Sequence, residues 1–522
     1  METKTRKHRI YILLAVAAVP LYFLYIYDLT GNPPGFYLDE ALASFNAYQL
    51  QLTGKGEFGN SWPLYFPVLL IPGSVNAYNG YLDPTQVYIL AALFTVFAPS
   101  LFLPRLVSAT AMFLASLLLG LLGKRISGRL DIGIITAVTA LITPWLFEIS
   151  RLAFGASLYP LAIVLFLFFL HLAHNRERWP LWNIVLVAVG LALCTYTYSI
   201  GRLLGPLLAF GLILFATDLG RFKNVLKTWL AYGVTLIPML VFHLSNPTAL
   251  TGRFDKTVGI FAASNGYSVI ASIFLSNLVE NINPLRLLMI GDTNLRHHIQ
   301  DTGPILVATF LLAVAGIVLV IARHRNEAWC RFMLYGMAAS IVPASLTKEQ
   351  FHMLRLDAFP VFLLIFTVPA LMWLRDIVKR ETDPEKTPKK TVAVMLRRYA
   401  FPILMVLTVA QAAYFQFAFR DWRTKRDTMY DAGYRPIFNA AIAQPSRPIY
   451  LVDGYWGQAY IHSYWYATID GIDLSNFVHV GKGQKPPVGA IVISADDKCD
   501  SCQPLFQEGQ FVLYREIPAS QK

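Results

Sequence analysis

Two adjacent acids, Asp39 and Glu40, stand in GFYLDEALASFNAYQLQLTGKGE (residues 35–57), just beyond an apolar segment that reads as membrane-spanning. A carboxylate can serve as general base toward a hydroxyl or amine nucleophile. Groups able to complement it recur in later polar stretches. These are Arg151 in EISRLAFGASLYP, then Arg202, then Arg253, Asp255, Arg286, Asp292, Arg296, His297, His298 and Asp301 between 245 and 302, and Lys348, Glu349, His352 and Arg355 in 347–356. Arginine grips phosphate through two parallel hydrogen bonds, and lysine binds it as a point charge. A base opposite a phosphate clamp suits group transfer on a phosphate-linked substrate. Each residue alone has a plainer reading. Pro33-Pro34-Gly35 breaks the chain, and Leu38, Leu42 and Phe45 then set an amphipathic helix. Its first turn would hold both acids, where the helix dipole favours them. Arg151 and Arg355 could snorkel from helix ends, and His297 and His298 could be ordinary loop residues. Their confinement to one face of the molecule is what argues for function.

Composition dictates what must position them. The chain has 522 residues, 55% hydrophobic and 15% charged, against about 25% charged in soluble domains. This is an integral membrane protein with many spans. The net charge of +12 does not mark a nucleic-acid binder, because the basic residues fall mainly in short loops between apolar runs, where topology alone puts them. Apolar runs occupy 10–27, 101–122, 131–149, 155–172, 181–199, 203–217, 229–244, 303–322, 333–346, 357–374 and 399–418. A span needs roughly 20 residues, so the shorter runs borrow flanking ones. The first run follows Lys4, Arg6, Lys7 and Arg9 with no small-residue cleavage site after it, and reads as a retained anchor.

Alternate connections are rich in Lys and Arg: KRISGR (124–129), HNRER (174–178), RFKNVLK (221–227), RHRNEAWCR (323–331) and 375–398. With the basic N-terminus they fall on one side, which the positive-inside rule makes cytoplasmic. The outward connections are then 28–100, about 150–154, about 200–202, 245–302, 347–356 and the tail 419–522. QVYILAALFTVFA (86–98) spoils that count if it spans, and reads as re-entrant or interfacial. The expected domains are 1–418 in the membrane and 419–522 as a small extracytoplasmic α/β unit. In the tail, RPIYLVDG and GAIVIS read as buried strands, YWGQAYIHSYWYATI as an aromatic helix and FVLYREI as a closing strand. Cys499 and Cys502 are half a zinc site with no second pair, and a local disulfide suits an extracytoplasmic tail.

The outward segments also resemble a known family. GFYLDEALASFNAYQLQLTGKGEFGNSWPLYF is similar to the first-loop "DE" motif of C-type-fold integral-membrane glycosyltransferases, in the branch of the protein O-mannosyltransferases and the aminoarabinose transferase that modifies lipid A. TPWLFEISRLAFGASLYP resembles the branch's "SPW…SR" segment, and PASLTKEQFHMLRLDAFP its "PA…H.LR" segment. LTGRF (250–254) and GDTNLRHHIQDTGP (291–304) resemble pieces of the middle outer loop of bacterial members. The resemblance covers residues 10 to 375 and implies the fold class: an all-α polytopic membrane protein of about 11 transmembrane helices with the C-type glycosyltransferase fold.

It also implies an activity, transfer of a sugar from a polyprenyl-phosphate donor with inversion at the anomeric carbon, at the outer face of the plasma (inner) membrane. Asp39 would be the base and Glu40 would assist positioning. Arg151, Arg253, Arg296, His352 and Arg355 would be the candidates for holding the lipid phosphate. Metal stays open, since some relatives use a divalent ion such as Mg or Mn and others use none. Oligosaccharyltransferase-type relatives carry a second acidic metal site in the next outer loop, where this chain offers only Glu148. The acceptor is left as lipid, glycan or protein. A lipid-linked sugar flippase or transporter is the alternative class. It would place ionisable groups near the bilayer midplane, whereas the runs here are nearly free of acids. An O-antigen ligase or polymerase-like enzyme is the third reading.

Overall fold

The structure is a computed structural model that describes residues 16, 18–68, 80–247, 249–252, 254, 259–261, 266–381, 392–454, 458–481, 484–495 and 502–518, with backbone alone for 377–381 and 392–398. It is dominated by helices. Among the described residues, six are long and apolar enough to cross a membrane: Phe102–Ser127, Gly155–His174, Leu219–Ser245, Val307–His324, Phe359–Asp376 and Tyr399–Asp421. Leu130–Ile142 and Pro144–Ser150 make a seventh if counted as one span bent by 58°. The bend has a local cause. Pro144 pushes Thr143 into an extended conformation (φ −69°, ψ 120°), which a continuing helix cannot accommodate. Every expected apolar run meets a helix in its described part, but Leu181–Thr197 and Gly201–Phe215 are short. Eleven full-length spans are therefore not matched one for one. Pro84–Phe94, within the run expected to be interfacial, has 11 residues, about half of what a span requires.

A short antiparallel pair, β1 (Phe66–Val68) and β2 (Gly80–Leu82), closes part of the first long connection. The tail carries a five-stranded sheet of β3 (Ile449–Val452), β4 (Phe477–His479), β5 (Ile491–Ser494), β6 (Cys502–Glu508) and β7 (Phe511–Glu516). Their order is β4-β3-β5-β7-β6, with β3 parallel to β4 and β5, and β7 antiparallel to β5 and β6. β3, β5, β7 and the helix Ala459–Asp470 fall where the sequence placed them; β4 and β6 are additional. All four residues of β5 are buried, which is why that central strand reads as a continuous apolar run. Cys502 is disulfide-bonded, Cys194 and Cys330 are free, and Cys499 lies outside the described residues.

The sheet unit shares an apolar core with the helix Leu38–Thr53 that carries the two acids. Trp465 stacks on Phe36 at 6.2 Å, and Tyr464 packs tilted against Phe45 at 5.5 Å. The entry to that helix is fixed by Gly35, at φ +72°, where a Cβ would lie 2.3 Å from the Tyr430 carbonyl oxygen. The tail thus holds the N-terminal end of the acidic helix from outside the bundle.

Candidate functional site

Asp39 and Glu40 occupy the first turn of Leu38–Thr53, and the structure separates them. Glu40 is fully buried. Its Oε1 accepts from Arg105 Nε (2.8 Å) and the Ala153 amide (2.9 Å), and its Oε2 accepts from Arg105 Nη2 (2.7 Å) and the Tyr37 amide (2.9 Å). With four donors in place, this carboxylate anchors the helix start. Asp39, one residue earlier, is half-buried and has no hydrogen-bond or ion-pair partner among the described residues.

Arg105 lies inside the apolar run 101–122, and the loop-based reading passed over it. Beyond its two bonds to Glu40, it donates to the carbonyls of Leu29, Pro33 and Gly35. Arg151, expected to hold the lipid phosphate, is engaged in the same way. Its Nε donates to Asn32 O (2.6 Å), Nη1 to Tyr25 O (3.1 Å), and Nη2 to Tyr27 O and Asp28 O (both 2.8 Å). Four of five N–H groups are occupied, so Arg151 presents no open fork to an anion. Together the two arginines clamp residues 25–35, the approach to Asp39. A lone charge in an apolar run was the signal for Arg105.

The short Pro144–Ser150 helix delivers Glu148 to the middle connection. Glu148 accepts from the Ile299 amide (2.9 Å) and from His298 Nδ1 (2.5 Å), while His298 Nε2 meets the Thr302 carbonyl (2.6 Å). The ring nitrogens face the Glu148 carboxyl and the Thr302 carbonyl, an arrangement that favours the doubly protonated ring. Burial opposes that charge, but Glu148 and Thr302 outweigh it and hold His298 above its ordinary value. The ring packs against Gly291, which sits at φ +67° and where a Cβ would lie 2.1 Å from His298 Cδ2.

The same turn builds a second cluster. Asp292 Oδ1 accepts from the Asn294 amide (2.9 Å), and Oδ2 from His297 Nδ1 (2.8 Å) and the Met353 amide (2.9 Å). Burial works against the charged carboxyl, yet these donors, His297 foremost, hold it at about 2. The Met353 contact joins the middle connection to the turn Met353–Leu356. His352 lies 4.6 Å from the His297 ring. Burial, then His297 and Arg355, push it well below its ordinary value, which makes it neutral. Its Nδ1 is buried without a partner, as is Arg355 Nη1. Arg355 Nη2 and His352 Nε2 both face Glu349 Oε2, at 2.9 and 3.4 Å. This loop is held in strain. Phe351 has φ +51°, sparsely populated for a bulky residue, and is kept there by an amide bond to Asn281 Oδ1 (3.0 Å) and by packing on Trp145 at 5.8 Å.

Arg296 links this cluster to the acids. Its guanidinium lies 4.4 Å over the Tyr37 ring, two residues before Asp39, and its carbonyl accepts from Tyr430 of the tail. Arg296 thus reaches Tyr37 at the start of the helix that carries Asp39, while His352 and Arg355 stand together on the Met353–Leu356 turn. The structure assigns Arg151 and Glu40 to the scaffold, and Arg253 lies outside the described residues. Asp292, His297 and His352 each offer one ligand atom, all within 4.8 Å of one another. One carboxylate and two imidazoles suit a borderline divalent ion such as zinc or manganese, and the unpartnered Nδ1 of neutral His352 fits that use. A metal would have to displace the His297 proton now shared with Asp292, or bind the other ring nitrogen.

No protein-family model matches the chain, and no curated protein matches it in sequence. Solved structures do match. ArnT from Cupriavidus metallidurans bound to undecaprenyl phosphate is similar with a TM-score of 0.62 at 12% identity, over 97% of both chains. The same protein in the apo state gives 0.60 at 13% identity, over 99% of both. The archaeal oligosaccharyltransferase AglB from Archaeoglobus fulgidus, in complex with an inhibitory peptide and a dolichol-phosphate, gives 0.55 at 13% identity over 91% of this chain and 65% of its own. The chain therefore has the C-type glycosyltransferase fold that ArnT and AglB share.

Proposed function

We propose that the protein transfers a sugar from a polyprenyl-phosphate donor to a lipid, glycan or protein acceptor, with Asp39 as general base. The observation that carries this reading is the contrast within the acid pair. Glu40 is locked in a saturated ion pair, while Asp39, in the same helix turn, is left without a partner among the described residues. Two proteins of the same fold were solved with a polyprenyl-type phosphate lipid. In the proposed step the acceptor O–H or N–H gives its proton to Asp39 as its lone pair attacks the anomeric carbon. The bond from that carbon to the phosphate oxygen breaks on the opposite face, and its electrons leave with the phosphate, inverting the centre. A diester monoanion becomes a monoester dianion, so positive charge near that oxygen favours the transition state over the ground state.

Arg296 and Arg355 supply that charge, and neutral His352 a hydrogen bond. Glu40 and Arg105 position the base, and Arg151 fixes the strand of chain that leads to it. A divalent ion on Asp292, His297 and His352 would supply further charge to the leaving phosphate. The reaction takes place at the outer face of the plasma membrane, with the N-terminus cytoplasmic and the sheet unit extracytoplasmic. Purified protein in liposomes, given a panel of labelled polyprenyl-phosphate sugars and cell-envelope extract as acceptor, tests the reading. Transfer with inverted anomeric configuration supports it; passage of intact labelled lipid across the bilayer without transfer sinks it in favour of a transporter.

A further inference from the structure

The turn that carries Arg355 ends at Asp357, two residues before the span Phe359–Asp376 begins. The Asp357 side chain is completely buried, and neither of its oxygens has a hydrogen-bond partner. The Trp145 indole N–H is turned toward it without meeting either oxygen in good geometry, and the buried Tyr159 hydroxyl, also unpartnered, lies within electrostatic range. An ionised carboxyl taken out of water without a partner is far costlier than the neutral acid. Burial pushes Asp357 well above the usual carboxylate range, with Trp145 opposing. Arg355, two residues away, makes no bond to it and has as its only acidic partner among the described residues the exposed Glu349.

We propose that Asp357 is a neutral carboxylic acid that positions the His352–Arg355 turn from beneath without drawing Arg355 into an ion pair. An ionised Asp357 would compete for the Arg355 guanidinium and cancel its field where an anion must bind. The neutral acid sits in its buried place facing the Trp145 indole without a counter-charge, and leaves the charge and the free Nη1–H of Arg355 to a phosphate. Its effect on phosphate binding rests on the role proposed above for Arg355; its protonation state does not.

Infrared difference spectroscopy of the purified protein at neutral pH separates the two. The account predicts a protonated-carboxyl C=O band that is lost in Asp357→Asn. If that variant fails to fold, the same band in wild type must shift on isotopic labelling of aspartate. Affinity for undecaprenyl phosphate is measured on the same samples. Asp357→Asn, neutral and of the same shape, stays within about threefold of wild type, while Asp357→Leu, which leaves the buried Trp145 N–H facing no polar group, weakens binding by about tenfold. Absence of the band at neutral pH overturns the neutral acid. A loss in Asp357→Asn as large as in Asp357→Leu overturns the charge-sparing role. Failure of wild type itself to bind the phosphate lipid overturns the reading of Arg355 and leaves the band to decide Asp357 alone.

Discussion

Arg105 and Glu40 form a two-point ion pair, Nε to Oε1 at 2.8 Å and Nη2 to Oε2 at 2.7 Å, with both side chains completely buried. It joins the helix Phe102–Ser127 to the first turn of Leu38–Thr53 and so sets where Asp39 stands. Removing one partner strands a buried charge. Arg105→Leu is expected to destabilise the fold by about 3–5 kcal/mol, read as a lowered unfolding temperature in detergent. The double variant Glu40→Leu/Arg105→Leu recovers only part, because the carbonyls of Leu29, Pro33 and Gly35 still lose their donor. Full recovery would show that Arg105 serves Glu40 alone.

Two of the arginines expected from sequence to hold the phosphate should behave differently. Arg355 has a buried unpartnered Nη1, so Arg355→Ala weakens binding of a polyprenyl phosphate by roughly 10- to 100-fold, the range for hydrogen bonds to a charged group, with the unfolding temperature little changed. Arg151→Lys cannot keep four carbonyls on one planar fork. It lowers stability while the folded fraction binds the lipid normally. The reverse pattern would return Arg151 to the phosphate.

That contrast marks how far the sequence could be read. The helix start after Pro33-Pro34-Gly35, the apolar runs and three tail strands follow from local patterns. The partner of Glu40 does not, because it lies 65 residues away inside a run where apolar periodicity hides it. β4 has three residues, and six of the seven in β6 are exposed, so neither shows the alternation or buried run that marks a strand. The Arg151 motif was legible, but its partners are backbone carbonyls, which no pattern of residue types reveals.

Stability should depend on pH from both ends. The raised value of His298 means its pairing with Glu148 contributes fully below about 6.5, the ordinary histidine value, and is lost as pH rises through the raised one. The depressed Asp292 value of about 2 contributes above about 3.9, the ordinary aspartate value, and is lost as pH falls toward 2. The stability advantage of wild type over His298→Gln should therefore shrink as pH rises, and that over Asp292→Asn should shrink as pH falls. Thermal unfolding across pH checks both, and an advantage over His298→Gln that grows toward alkaline pH would contradict the imidazolium.

The Asp292, His297 and His352 cluster predicts metal binding that can be read without activity. Manganese or zinc should bind near one equivalent per chain, and His352→Gln should weaken it at least tenfold, as even outer-shell changes at metal sites do. Equal binding by wild type and variant would leave these three residues as a hydrogen-bonded cluster only.

The central claim is that Asp39, not Glu40, takes the acceptor's proton. The most direct test is sugar transfer in liposomes by wild type beside Asp39→Asn, with both shown to fold and to bind the donor lipid equally. The account predicts a loss of about 100-fold or more in turnover, the range for a general base, at unchanged donor affinity. Equal turnover would make Asp39 a helix-start acid and place the base elsewhere.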